Sequence, residues 1–275
     1  MYYKRMVDQI IINGQLISYL RAGTASTGKS LLFLHGWRSQ KEVWNGVVQR
    51  IRELESGRIS IYALDFPGFG GSPAPKEPWT VGDYANVVKA FIDRLELKNV
   101  IVIGHSFGGR VAIKLCSIDN EPNISGADKS ARYTIDVINK LVLVDSAGFV
   151  FNPDKKQMMN LIAKTVKPFF KPKFMEPVRR LIYKTIGAED YLATPELRQT
   201  FVNIVNEDLS ESMEKINAPV LIIWGEKDIE TPFEFAGMMK NKIKNSELIV
   251  FENAGHFSFL DKREEFVLEL KKFIS

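Results

Sequence analysis

The sequence predicts an α/β fold on a mostly parallel sheet. Three observations carry that prediction. Short apolar runs alternate with helical patterns along the chain, the signature of βαβ units. Runs such as Leu31–Leu34 and Val100–Ile103 read as short strands buried on both faces, as in parallel sheets. Several runs then break at turns rich in Gly, Asp and Pro, such as His35-Gly36 and Asp65-Phe66-Pro67-Gly68.

Taken in order, residues 7–12 and 15–20 flank Asn13-Gly14, a strong hairpin signal. Strands follow at Leu31–Leu34 and Ile59–Leu64. Tyr84, Val87, Val88, Phe91, Ile92 and Leu95 recur at three- and four-residue steps, which places one apolar stripe of a helix against the sheet. Val100–Gly104 is the next strand, with a helix from about Phe107 to Ser117. Residues 119–131, rich in Asp, Asn, Pro, Ser and Gly, read as a loop. Leu141–Val144, Val220–Trp224 and Leu248–Phe251 complete the strands, and a last helix carries Phe266, Leu270, Phe273 and Ile274 on one face. Residues 149–215 interrupt the alternation and read as a helical insertion, with Pro168, Pro172 and Pro177 close together and no clear strand.

A chain of 275 residues with 45% hydrophobic and 25% charged residues has ample material for a core. The net charge of +4 is too mild for a nucleic-acid footprint. Cys116 is the one cysteine, so no intramolecular disulfide forms, which fits a reducing compartment. No run approaches the ~20 apolar residues of a membrane span. The first nine residues lack a signal-peptide core. A cytoplasmic protein is the expectation.

The chemistry centres on Gly104-His105-Ser106-Phe107-Gly108, which lies between a buried strand and a helix. A strand-to-helix turn this sharp needs small residues beside the serine, because larger ones collide with the crossing backbone. It lifts the hydroxyl above the sheet edge, next to the N–H groups of the helix start. A serine hydroxyl needs a base. Of the three histidines, His256 lies in a small-residue turn after the last strand, over the same sheet edge. The base needs a carboxylate, and Asp228 lies just beyond the strand at Val220–Trp224, which gives the chain order Ser, Asp, His. Glu226 and Asp145 are rival acids. The oxyanion donors are expected to be the backbone N–H groups of Phe107, just after the nucleophile, and Trp37, in the loop after His35-Gly36. His35 is expected to organise that loop by hydrogen bonding and His105 to be structural. Asp65 and Ser72 read as loop hydrogen-bonders and Cys116 as a buried small hydrophobe. No metal-ligand spacing occurs and no cofactor is implied.

These residues together resemble the α/β-hydrolase family, in the subgroup with a small helical cap. The resemblance spans nearly the whole chain, through His35-Gly36-Trp37, Asp65 to Ser72, the elbow at 104–108, Trp224 to Asp228, and Gly255-His256. It implies the α/β-hydrolase fold, with an eight-stranded sheet in a core of residues 1–148 and 216–275. A cap of residues 149–215 would follow the sixth strand. Trp37-Arg38 replaces the glycine run of one lipase branch, and Ser106 disfavours the branches that use an aspartate nucleophile.

Between Lys155 and Lys184 the cap segment has nine Lys or Arg residues against one acid, Glu176, interleaved with Met158, Met159, Phe169, Phe170, Phe174 and Met175. One reading is a helix with solvated charges and packed apolar residues. The other is a surface for anionic or lipid-like partners. The leading functional expectation is a serine esterase acting on a small acyl substrate. Its rivals are a carbon–carbon bond hydrolase with the same triad and a non-catalytic ligand-binding protein.

Overall fold

A computed structural model of the chain describes residues 6–24, 28–55, 58–118, 137–150 and 194–275. The loop expected at 119–131 and the basic cap segment at 155–184 lie outside the described residues.

The hairpin forms where expected. Strands β1 (Met6–Ile12) and β2 (Gln15–Ala22) pair antiparallel around Asn13 and Gly14, whose φ values of +50° and +78° are the two positive dihedrals a tight I′ turn requires. Then come β3 (Ser30–Leu34), α1 (Asn45–Glu55), β4 (Ser60–Leu64), α2 (Val81–Arg94), β5 (Val100–His105), α3 (Phe107–Ile118) and β6 (Ile138–Val144). The next described helices are α4 (Arg198–Asn206) and α5 (Ser210–Glu214). The chain closes with β7 (Val220–Gly225), α6 (Glu234–Lys242), β8 (Ser246–Phe251), α7 (Ser258–Asp261) and α8 (Arg263–Ile274). The eight strands form one sheet in the order β1-β2-β4-β3-β5-β6-β7-β8, parallel from β4 through β8.

The unbroken apolar runs are explained by layers on both faces. Leu31 and Phe33 of β3 join the cluster formed with Val47, Ile51, Phe259 and Phe266 of α1, α7 and α8. Leu32 and Leu34 join the opposite cluster with Tyr84, Phe91, Val111 and Met239 of α2, α3 and α6. Successive strand residues thus face opposite cores, so neither can be polar. Helix α2 begins at a capping box, in which Thr80 Oγ1 accepts from Asp83 N and Asp83 accepts from Thr80 N. Cys116 packs at the margin of the second cluster and is half-buried, which corrects the expectation of burial: it lies in the last turn of α3, at the edge of that core.

Arg110, in the first turn of α3, ties together two points of the long connection between β6 and β7. Its buried guanidinium donates from Nη1 to Glu207 O at 2.6 Å and from Nη2 to Phe149 O at 3.0 Å. Leu209 N donates to Gly148 O beside it at 2.9 Å. Among the described residues no helix is long and apolar enough to cross a membrane.

Because β3 through β8 run in one direction, their carboxyl ends form a single rim. The loops after β3, β4, β5, β6, β7 and β8 gather there, and ligands of open α/β sheets bind at that edge.

Candidate active site

Ser106 occupies the one-residue turn between β5 and α3 with φ +52°, a left-handed conformation that costs a non-glycine residue roughly 1–3 kcal/mol. The turn is held by backbone bonds on both sides. Ser106 N donates to Val144 O at 3.1 Å, and Ser106 O accepts from Gly109 N at 3.0 Å and Ala147 N at 3.2 Å. Three glycines let the strands and helix approach this closely. A Cβ on Gly104 would lie 2.5 Å from Gly108 O, one on Gly108 2.3 Å from Leu34 O, and one on Gly109 2.0 Å from Ser146 Oγ. Phe107 opens α3, so its N–H belongs to the first-turn donors that have no partner within the helix.

The imidazole of His256 is buried on the same rim, in the loop between β8 and α7. Its Nδ1 lies 2.8 Å from Asp228 Oδ2. An ionised carboxylate only accepts, so Nδ1 carries the proton and Nε2 is free to accept one. Burial pulls the imidazole pKa down, but the bond and charge of Asp228, with Glu230 and Asp145 behind it, raise it above 6.5 on balance. Burial pushes Asp228 up, and the bonds from His256 and Thr231 more than offset it, leaving the carboxyl below its ordinary value. Nε2 has Glu230 Oε2 at 3.4 Å.

Asp228 is fixed by its own loop. Oδ1 accepts from Glu230 N at 2.8 Å and Thr231 N at 3.0 Å, a local turn closed by a carboxylate. Oδ2 accepts from Thr231 Oγ1 at 2.6 Å, and Thr231 O takes the indole N–H of Trp224 at 3.0 Å. The two rival acids are engaged elsewhere. Asp145 is buried and accepts from Gly225 N at 2.8 Å and from Ser258 N and Oγ at 3.0 and 2.6 Å, while burial pushes its pKa up to about 7. Glu226 Oε2 accepts from Asn253 N at 3.0 Å. Both acids brace the His256 loop from beneath and beside it, and neither bonds the imidazole among the described residues.

The other histidines are braces. His105 Nε2 lies 2.7 Å from the carbonyl of His256, so its N–H ties the strand before Ser106 to the loop carrying His256. Complete burial lowers its pKa to about 3, which keeps it neutral. His35 bonds Gly36 O through Nδ1 at 2.7 Å and accepts from Phe66 N through Nε2 at 3.0 Å, and burial lowers its pKa to about 4. Asp65 takes both the backbone N–H and the ammonium of Lys41 at 2.7 Å, together with Gly71 N at 2.8 Å. Ser72 Oγ donates to Asp65 O at 2.9 Å and accepts from Ser18 N at 2.9 Å. Asp65 therefore joins the loops after β3 and β4, while Ser72 ties the latter to β2.

Trp37 reaches Phe107 edge-on with ring centroids 5.4 Å apart, so the loop after β3 and the start of α3 are neighbours. Phe69 and Phe201 of α4 complete an aromatic wall around Trp37 at 4.9 and 5.3 Å. Sequence reasoning did not find Thr231, Ser258, Lys41 or Glu230. Thr231 had a signal, the Asp-x-x-Thr spacing of a side-chain-closed turn, whereas Ser258 and Lys41 act across long stretches of chain.

A family model described as alpha/beta hydrolase family matches residues 31–270. The AB hydrolase superfamily protein YisY of Bacillus subtilis (strain 168) is 29% identical over 265 residues, covering 86% of this chain and 88% of that protein. A pimeloyl-[acyl-carrier protein] methyl ester esterase of Nitrosomonas europaea is 28% identical over 270 residues, covering 89% of this chain and 95% of the esterase. Among solved structures, an esterase from Exiguobacterium antarcticum superposes with a TM-score of 0.72 at 27% identity, over 98% of this chain and 99% of that one. With the sheet order and the strained serine turn already in place, the match over most of its length means that the chain belongs to the alpha/beta hydrolase family.

Proposed function

We propose that the protein is a serine hydrolase that cleaves a carboxylic ester or thioester through an acyl-enzyme on Ser106. The observation that carries this reading is the Asp228–His256 pair, bonded at 2.8 Å on the rim onto which the elbow lifts Ser106. Ser106 Oγ attacks the acyl carbon as its proton passes to His256 Nε2. Asp228 holds the imidazole in the required tautomer and stabilises the imidazolium that forms. The tetrahedral oxygen is taken by the backbone N–H groups of Trp37 and Phe107, each worth about 3–4 kcal/mol in the transition state. Nε2 then protonates the departing oxygen or sulfur. Water, deprotonated by the same nitrogen, releases the acid and restores Ser106.

The aromatic wall of Trp37, Phe69, Phe107 and Phe201 supports an apolar acyl group, because ligand pockets are mostly apolar with few polar groups. The insertion fastened at Phe149 and Glu207 supports a cap over the rim. The esterase names of the Nitrosomonas and Exiguobacterium relatives point the same way. The test is Ser106→Ala assayed on short p-nitrophenyl esters, with circular dichroism as a fold control. Turnover is expected to disappear while the spectrum is unchanged. Wild-type turnover in the variant overturns the assignment.

A further inference from the structure

We infer that Glu230 is a specificity-determining residue on the leaving-group side of the site, where its carboxylate favours substrates with a cationic leaving group and disfavours anionic ones. The inference rests on the acyl-hydrolase reading above and adds the charge class of the departing group.

The geometry begins with His256 Nε2. In acylation the bond from Ser106 Oγ to the acyl carbon forms, the bond from that carbon to the leaving oxygen breaks, and the leaving oxygen takes its proton from Nε2. The departing group therefore has to come within hydrogen-bond reach of that nitrogen. Glu230 Oε2 lies 3.4 Å from the same atom. Substituents one or two bonds beyond the leaving oxygen consequently pass close to the carboxylate.

The position of Glu230 is set by the acid of the triad. Its N–H donates to Asp228 Oδ1 at 2.8 Å, and the next residue, Thr231, is held by Asp228 and by the indole N–H of Trp224. The backbone is pinned while the side chain stays 63% exposed, so the carboxylate can turn toward an arriving group. Among the described residues the Glu230 carboxylate approaches the His256 ring, and no lysine or arginine forms an ion pair with it. The other acids near the imidazole are spoken for: Asp228 by Nδ1 and Thr231, Asp145 by Ser258 and Gly225. Among the described residues, that leaves Glu230 as the acid beside Nε2 that no cation neutralises.

The test uses three butyrate esters that share an acyl group: choline, its uncharged isostere 3,3-dimethylbutanol, and the anionic hydroxyethanesulfonate. The wild-type kcat/KM is expected to rank cationic above neutral above anionic, with about a tenfold or greater spread at low ionic strength, since two charges roughly 4–6 Å apart at a protein surface interact on that scale. About 1 M salt should shrink the spread, because the screening length falls to ~3 Å. Glu230→Gln should collapse the cation-to-anion ratio toward one, and Glu230→Lys should invert it. A ratio near one in the wild type, or one unchanged in Glu230→Gln, overturns the inference while leaving the acyl-hydrolase reading standing. Absence of Ser106-dependent hydrolysis of the neutral ester overturns that reading, and this inference with it.

Discussion

Ser106 and His256, the proposed nucleophile and base, reach the same rim by different physics. Ser106 is placed by exclusion: backbone crosses backbone so closely at Gly104 and Gly108 that no side chain fits, and the serine is forced to φ +52°. His256 is placed by attraction, through bonds to Asp228 from its ring and to His105 from its carbonyl, with Ser258 anchored on Asp145 behind it. A steric constraint is all-or-none, because a Cβ either fits or displaces a strand. A hydrogen-bond network is graded, and its members can be removed one at a time.

That contrast orders the expected effects of substitution. Gly108→Ala should be the most damaging, because the new Cβ would meet the main-chain oxygens of Leu34 and His35 at 2.3 and 2.8 Å, neither of which can rotate away. A loss of about 3 kcal/mol or more in urea unfolding is expected, together with loss of turnover. A variant as stable and active as the parent would show that the elbow tolerates side chains and would erase the contrast.

Asp228→Asn comes next and should leave stability nearly intact. The carboxamide can turn its NH₂ toward Nδ1 and stabilise the wrong tautomer, so kcat should fall by about 10³–10⁴. The pH profile sharpens this. As the proposed base, His256 must be neutral to take the proton of Ser106, so activity should be lost as pH falls through its pKa. Burial lowers that pKa, but the neighbouring carboxylates raise it above 6.5 overall, so the acid limb of kcat/KM should have its midpoint above pH 6.5. Residual activity of Asp228→Asn should show a limb moved to lower pH. An unmoved limb would mean that Asp228 does not govern the imidazole.

The smallest effect should come from Gly237→Ala in α6. No atom lies within 4 Å of the added Cβ, and the helix gains the propensity difference, so a stabilisation of about 0.5–1 kcal/mol is expected from thermal or urea melts. Set beside Gly108, it isolates crowding from glycine as such.

The same contrast explains what the sequence made legible. Steric demands leave local marks. The Gly-x-Ser-x-Gly spacing, Asn13-Gly14 and the doubly apolar strands announced the elbow, the hairpin and the sheet, because each constraint acts within a few residues. Asp228 and His256 were legible through their places just beyond strand ends. The network around them was not. Ser258 bonds Asp145 across 113 residues and Arg110 reaches Glu207 across 97, so no local pattern links either pair. Glu230 looked like any exposed acid, because what distinguishes it is its 3.4 Å approach to an imidazole that arrives from another loop.

The most direct test of the account is labelling by a fluorophosphonate, read by intact mass and by mapping of the modified peptide. One adduct per chain, on Ser106, is predicted, forming quickly in the parent and at least a hundredfold more slowly in His256→Ala, on the order of the general-base contribution. An adduct on another residue, or an undiminished labelling rate without His256, would contradict the claim that this rim turns a serine hydroxyl into a nucleophile.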